Sequence, residues 1–223
     1  MLGLNLKEEK MKKSRFFFIL SLTVLLARPA WAAHYTIDPD HTTVSFKIRH
    51  LLTAVHGRFN QFEGNFDYDP DKSDTWKASA TVQAASIDTN VKPRDKHLRS
   101  KDFFDVEKYP TLTFSSTGVT DVTATTAKLN GLLKIHGVEK PVVFDLQILG
   151  VAKDPWGNVR ASFSAATSIN RKDFGLTWNE ALETGQFLVG DEVALTLEVE
   201  GILQGKAQAE APPSTGPVSV TKK

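Results

Sequence analysis

Hydrophobic and polar residues alternate with period two along most of the chain between residues 34 and 203. Val44, Phe46 and Ile48 alternate with Ser45, Lys47 and Arg49, and Ala78, Ala80, Val82 and Ala84 with Lys77, Ser79, Thr81 and Gln83. Leu112, Phe114 and Ser116 alternate with Thr111, Thr113 and Ser115, and the pattern recurs over residues 127–135, 141–150, 158–169 and 192–201. Successive side chains of a strand point to opposite faces, so this text predicts strands with one buried and one solvated face. Within residues 55–68 the apolar parity slips from odd (Val55, Phe59) to even (Phe62, Phe66, Tyr68), which predicts a β-bulge near Asn60 and Gln61. About eight strands are expected, several of them long. Long, bent, antiparallel strands with one apolar face suit closure into a barrel, which removes exposed edges; a two-sheet sandwich carries the same alternation and remains the alternative. Residues 93–104 break the pattern: Pro93 stands near the start and Asp95 lies four residues before Arg99, which predicts a short helix.

The ends of the chain read differently. Lys12, Lys13 and Arg15 precede an apolar run from Phe16 to Ala27, followed by Pro29 and the small-residue site Ala30-Trp31-Ala32. This is the pattern of a secretory signal peptide over residues 1–32, cleaved near Ala32 and directing export. The run is shorter than the ~20 residues a bilayer span needs, which disfavours a transmembrane anchor. Met11 offers a second start for a signal of ordinary length. Residues 205–223, with Pro212-Pro213 and Ser214-Thr215-Gly216-Pro217, predict a disordered tail. One domain therefore remains, over residues 33–204.

Composition narrows the function. The chain has 223 residues, no cysteine, and 27 Lys+Arg against 26 Asp+Glu. Loss of the signal segment removes six basic and two acidic residues and leaves a mildly acidic protein, formally −3. That charge makes no electrostatic case for nucleic acid as a partner. The missing cysteines exclude disulfides, thiolate metal sites and a cysteine nucleophile. No nucleophile elbow, phosphate loop, dinucleotide fingerprint or zinc-protease motif is present. Asp69-Pro70-Asp71-Lys72-Ser73 starts like a calcium loop but lacks its later Gly and Glu, and reads as a solvated turn.

Two polar groups invite chemistry. His41, His50 and His97 would serve a metal-dependent hydrolase if folding brought them together, although no spacing demands it. Lys92, Arg94, Lys96, Arg99 and Lys101, interleaved with Asp95 and Asp102, read as a solvated helix face; the sharper alternative has Arg94 or Arg99 meeting an anionic head group at a cavity mouth. The strand faces themselves mix large residues (Phe46, Phe59, Phe114, Phe144, Phe163) with small ones (Ala78, Ala80, Ala84, Gly131, Ala161, Ala165). An eight-stranded barrel either fills with side chains or holds one small ligand, and small residues on several strands leave room for an apolar, elongated occupant.

Several segments carry a resemblance. They are Asp40-His41-Thr42-Thr43-Val44-Ser45-Phe46, Gly57-Arg58-Phe59, Ser86-Ile87-Asp88-Thr89, Arg94-Asp95-Lys96-His97-Leu98-Arg99 with Lys108-Tyr109-Pro110, Gly131-Leu132-Leu133, and Arg171-Lys172-Asp173-Phe174-Gly175. Over roughly residues 34–203 the chain resembles the YceI-like family of bacterial periplasmic proteins. The resemblance implies an all-β, eight-stranded antiparallel, lipocalin-like barrel whose channel binds a polyisoprenoid chain, such as a quinone tail or prenyl pyrophosphate. It also implies a non-enzymatic, often dimeric protein without a further cofactor, and gives Arg94, Asp95 and His97 the role of pinning the helix. His136 departs from the family pattern, which more often has an uncharged residue before Gly-Val.

The expectation is thus a periplasmic carrier that exchanges lipid with a membrane donor or acceptor. Phe46, Ile48, Phe59, Ala80, Val82, Phe114, Leu133, Phe144, Leu146, Phe163 and Leu197 are expected to line its channel. The rival readings are the metal-dependent hydrolase and a filled-core protein acting through its surface.

Overall fold

The structure, a computed structural model, describes residues 32–181 and 188–205. Apart from Ala32 and Gly205, the expected signal segment and tail lie outside the described residues. The described strands are β1 (Ala33–Ile37), β2 (Thr43–His50), β3 (Thr53–Phe59), β4 (Phe62–Tyr68), β5 (Lys77–Gln83), β6 (Ile87–Asp88), β7 (Thr111–Thr120), β8 (Thr126–Ile135), β9 (Val138–Lys153), β10 (Val159–Asn170) and β11 (Val189–Leu203). A single α-helix, α1 (Lys92–Arg99), stands between β6 and β7 among these residues.

These segments make eight strands, because three strands are each broken once. β1 and β2 follow one another along β11, β4 and β3 pair with β1 and β2 respectively, and β5 and β6 pair with β4 and β3. Every pairing is antiparallel between neighbours around the ring, and β11 returns to β1 and β2. The sheet is therefore a closed eight-stranded up-and-down barrel, as the alternation and strand lengths predicted, and not a sandwich.

The three breaks lie side by side and form a crease across the barrel wall. In the first, Pro39 has no N–H to give a ladder, and the Asp38 carboxylate accepts from the Asp40 N–H to hold the 3-10 turn Pro39–His41. In the second, Asn60 and Gln61 separate β3 from β4, where the parity slips. Asn60 N–H donates to Ser86 O, and Gln83 N–H to Gln61 O, so this break bonds across to the third, the 3-10 turn Ala84–Ser86. Tight hairpins join the longest strands. His136 and Gly137, at φ +52° and +78°, make the two-residue turn between β8 and β9, with the His136 ring packed on Tyr109 at 4.4 Å between centroids.

The helix is shorter than the expected 93–104. It ends at Arg99, where the Ser100 hydroxyl bonds back to His97 O, and Phe103 and Phe104 then turn inward against the barrel end.

Closure is stapled on the outer wall. Arg160 of β10 donates to Asp38 beside the crease (2.7 Å), to Asp154 in the β9–β10 turn (2.9 Å) and to Glu200 of β11. Asp38 and Asp154 would be raised by burial, but the Arg160 hydrogen bonds and those from neighbouring groups hold both below the usual carboxylate range. A carboxylate depressed in the folded state contributes stability above its unfolded pKa, near 4, and loses it as pH falls through the folded value. Replacing Arg160 by leucine should cost about 2–4 kcal/mol at neutral pH, since it strands three partly buried carboxylates. The gap in melting temperature between wild type and variant should narrow below about pH 4, read by thermal unfolding across pH 2.5–7.

The apolar interior as candidate functional site

The barrel has one filled end and one hollow end. At the end holding the β4–β5 and β9–β10 turns, aromatic rings interlock. Tyr35 stacks on Phe66 (5.0 Å), Phe163 meets Phe66 and Tyr68 edge-on (5.4 and 5.0 Å), and Tyr68 packs on Trp76 (4.7 Å). The Trp76 indole N–H donates to Asp69 O, so the plug carries no stranded donor. Burial, reinforced by neighbouring oxygens, raises the Tyr35 and Tyr68 hydroxyls and keeps them neutral.

Beyond the plug the interior opens into two cavities. The smaller, about 180 Å³, is walled by Val44, Ala80, Val82, Phe114, Phe144 and Leu197 among others. The larger, about 420 Å³, lies under α1 and is walled by Phe46, Ile48, Val55, Leu98, Phe104 and Trp178 among others. Phe59, Leu112 and Leu195 face both, so the two cavities adjoin at these residues.

All eleven apolar residues picked from the sequence face one or both cavities. Ala80, Val82, Phe114, Leu133, Phe144, Leu146, Phe163 and Leu197 face the smaller, Phe46 and Ile48 the larger, and Phe59 both. Glycines explain why so many rings leave the lumen open. A Cβ built on Gly57 would collide with the Phe46 ring, one on Gly131 with the Phe114 ring, and one on Gly201 with the Phe66 ring. Each phenyl lies flat against the wall where its neighbour has no side chain, and the vacated volume stays inside the barrel.

Polar groups gather at the hollow end. Asp95, only 6% exposed, accepts from the Thr89 N–H (2.9 Å) and hydroxyl (2.5 Å), and Arg94 donates to the Thr89 hydroxyl and carbonyl. Arg94 also faces the larger cavity, where a head group would meet it. Arg99, the other head-group candidate, does not: its guanidinium is bonded to Ala85 O and Ile87 O, and it is absent from both cavity walls. Its geometry is that of a strap holding α1 to the strand edge. His97 bonds Asp102 (2.8 Å) and packs edge-on against Phe103 and Trp178, which ties the helix to the chain that follows it.

The three histidines of the hydrolase reading are not brought together. His50 and His97 face the larger cavity, whereas His41 bonds Asp38 at the crease. There His41, Asp38 and Glu200 form a group of metal-ligand type, but Arg160 already supplies the positive charge to both carboxylates. Arg171 was not singled out as a site residue. It is 3% exposed, faces the larger cavity and donates to Gly190 O, Leu176 O and Trp178 O, while burial lowers its pKa against the pull of Asp191. Its place in the segment Arg171-Lys172-Asp173-Phe174-Gly175 was the available signal.

The fold and its interior define the class: a closed eight-stranded barrel with an internal apolar cavity under a helical cap. The YceI-like domain family model matches residues 35–201, and the chain belongs to that family, a binding-protein fold. A UPF0312 protein of Azotobacter vinelandii is 40% identical over 197 residues, covering 87% of this chain and 100% of the relative. One of Ectopseudomonas mendocina is 42% identical over 187 residues, covering 82% and 94%. Among solved structures, Burkholderia cenocepacia BcnA superposes with a TM-score of 0.64 at 25% identity, over 74% of this chain and 98% of that one. A Campylobacter jejuni YCEI protein gives 0.61 at 33%, over 69% and 88%. A domain of Saccharophagus degradans described as polyisoprenoid binding shares the fold, with a TM-score of 0.57 at 14% identity over 78% and 99%.

Replacing Asp95 by alanine should strand the buried Thr89 N–H and hydroxyl. The expected cost is about 1–3 kcal/mol, with faster amide hydrogen exchange over residues 89–99 and little change in β8–β10, measured by exchange mass spectrometry.

Proposed function

We propose that the protein is an exported binding protein that holds a polyisoprenoid lipid in the barrel, as carrier or store. The observation that carries this reading is the pair of apolar cavities within the barrel, which share Phe59, Leu112 and Leu195 in their walls. Rotation of these side chains would join the cavities into one channel for an extended chain. Each CH₂ taken from water contributes ~0.8 kcal/mol, so a run of isoprene units needs little polar recognition. The polyisoprenoid-binding description of the Saccharophagus degradans domain supports the same ligand class through the shared fold.

A quinone ring or prenyl pyrophosphate would rest at the hollow end, where Arg94, His50 and His97 face the cavity. The apolar tail would point toward the plug. The proposal includes a signal peptide cleaved near Ala32, a periplasmic location, homodimerisation, and exchange with a membrane donor or acceptor protein. Binding without catalysis suits a site whose polar groups are largely bonded to one another or to backbone.

Native mass spectrometry with lipid extraction, on protein purified from its own host, tests the reading. A co-purifying prenyl lipid at near one per barrel is expected, and a barrel that returns none overturns it. Gly57→Ala should push the Phe46 ring into the larger cavity, lowering lipid occupancy at a stability cost of about 1–3 kcal/mol.

A further inference from the structure

The rim of the hollow end carries exposed leucines in a turn that does not suit them. Leu51 and Leu52 form the whole two-residue loop between β2 and β3, closed by the His50–Thr53 pair. Leu52 is 86% exposed and Leu51 44%. Leu51 sits at φ +52°, where glycine or asparagine is at ease and a bulky side chain is an outlier. Two apolar side chains in water, one on a strained backbone, contradict what a hairpin turn asks of its residues. Such conflicts mark function more often than folding. Val91, 42% exposed, stands on the same rim, two residues before cavity-facing Pro93, as Leu51 stands one residue after cavity-facing His50.

Charge is segregated to the same end. The hairpin residues 43–59 hold Lys47, Arg49, Arg58, His50 and His56 and no acidic residue. Residues 92–101 hold five Lys or Arg and one acid, the buried Asp95. The remainder of residues 33–205 carries ten basic and twenty-two acidic residues. Asp88, Asp102 and Asp191 at this end are each in an ion pair, with Arg58, His97 and Lys172 respectively, and the segments around it also hold Asp105, Glu107, Glu139, Asp173, Glu180 and Glu192. Lys92, Lys96 and Arg49 are exposed.

We propose that this end docks on an anionic phospholipid bilayer, with Leu51, Leu52 and Val91 inserted at the head-group boundary and the basic residues of the hairpin and α1 against lipid phosphates. An apolar wedge within a basic collar is the surface that fits a lipid interface, because insertion and surface charge act together there. The acidic remainder of the barrel is repelled by the same surface, which orients the mouth toward it. The inference rests on the carrier reading for its purpose, since docking would place the cavity opening against the phase that holds an isoprenoid.

The test is sedimentation of the mature chain with vesicles of phosphatidylglycerol and phosphatidylethanolamine, or of phosphatidylcholine alone. Salt-sensitive binding to the first and little to the second is expected. The double exchange Leu51→Gly with Leu52→Ser gives the turn residues it favours, so its melting temperature should hold or rise while vesicle binding falls by roughly tenfold or more. Lys92→Gln with Lys96→Gln should weaken binding by roughly fivefold or more and flatten its salt dependence. Absence of binding by the wild type overturns the proposal. So does binding that the lysine exchange abolishes and the leucine exchange leaves intact, which would be charge adsorption without an inserted wedge. Lipid extracted from the same samples separates the two readings. Vesicle binding by a barrel without isoprenoid defeats the carrier and leaves docking, whereas retained isoprenoid without vesicle binding defeats docking alone.

Discussion

Everything in this barrel depends on one strand bonding to two. β11 runs beside β2 from Val189 to Glu198 and beside β1 from Gly201 to Leu203. Between those stretches Glu200 holds the chain that crosses from β1 to β2. Its carbonyl accepts from the Asp38 N–H and the Thr42 hydroxyl, its N–H donates to the Thr42 oxygen, and its carboxylate takes Arg160 and Ser162. Without that handover the sheet would end in two open edges. With it, the first strand must bend, and the bend is copied sideways into the next two strands as the crease.

The crease sets where the apolar residues point. Because β3 presents odd residues inward and β4 even ones, Phe59 and Phe62 both face the interior across a gap of two residues. The two cavities are then preserved by subtraction, since glycines stand where the rings of Phe46, on the larger, and Phe114, on the smaller, lie. The cap is held by polar contacts rather than by a deep apolar face of its own. Arg94, Asp95 and Arg99 tie it to residues 85–89, and Phe103 and Phe104 close beneath it. A cap attached through a handful of hydrogen bonds is easier to displace than the wall, where the long strands β7 to β11 are each bonded on both sides.

Much of this was legible before folding because strand alternation is a local signal. Val44, Phe46 and Ile48 announce which face is buried, and the slip at Asn60 and Gln61 announces the bend. The interior positions chosen from Phe46 through Leu197 followed from parity alone. The seam was not legible, since Arg160 reaches Asp38 and Glu200 across 122 and 40 residues of sequence. The breaks at Pro39–His41 and Ala84–Ser86 were missed for a related reason: they answer to the neighbouring strand more than to their own residues. Arg99 shows the limit of reading charge from text: it reads as a ligand for an anionic head group, and folding commits it to the backbone carbonyls of Ala85 and Ile87.

The aromatic plug has a kinetic consequence. With Tyr68, Trp76 and Phe163 packed across one end, an occupant of the proposed carrier would leave by the end it entered, and the part that went in first would come out last. Loading and unloading would then compete for one doorway, and the shape of the tube would give transfer no direction. Direction would be set by the relative affinities of the surfaces that the doorway meets.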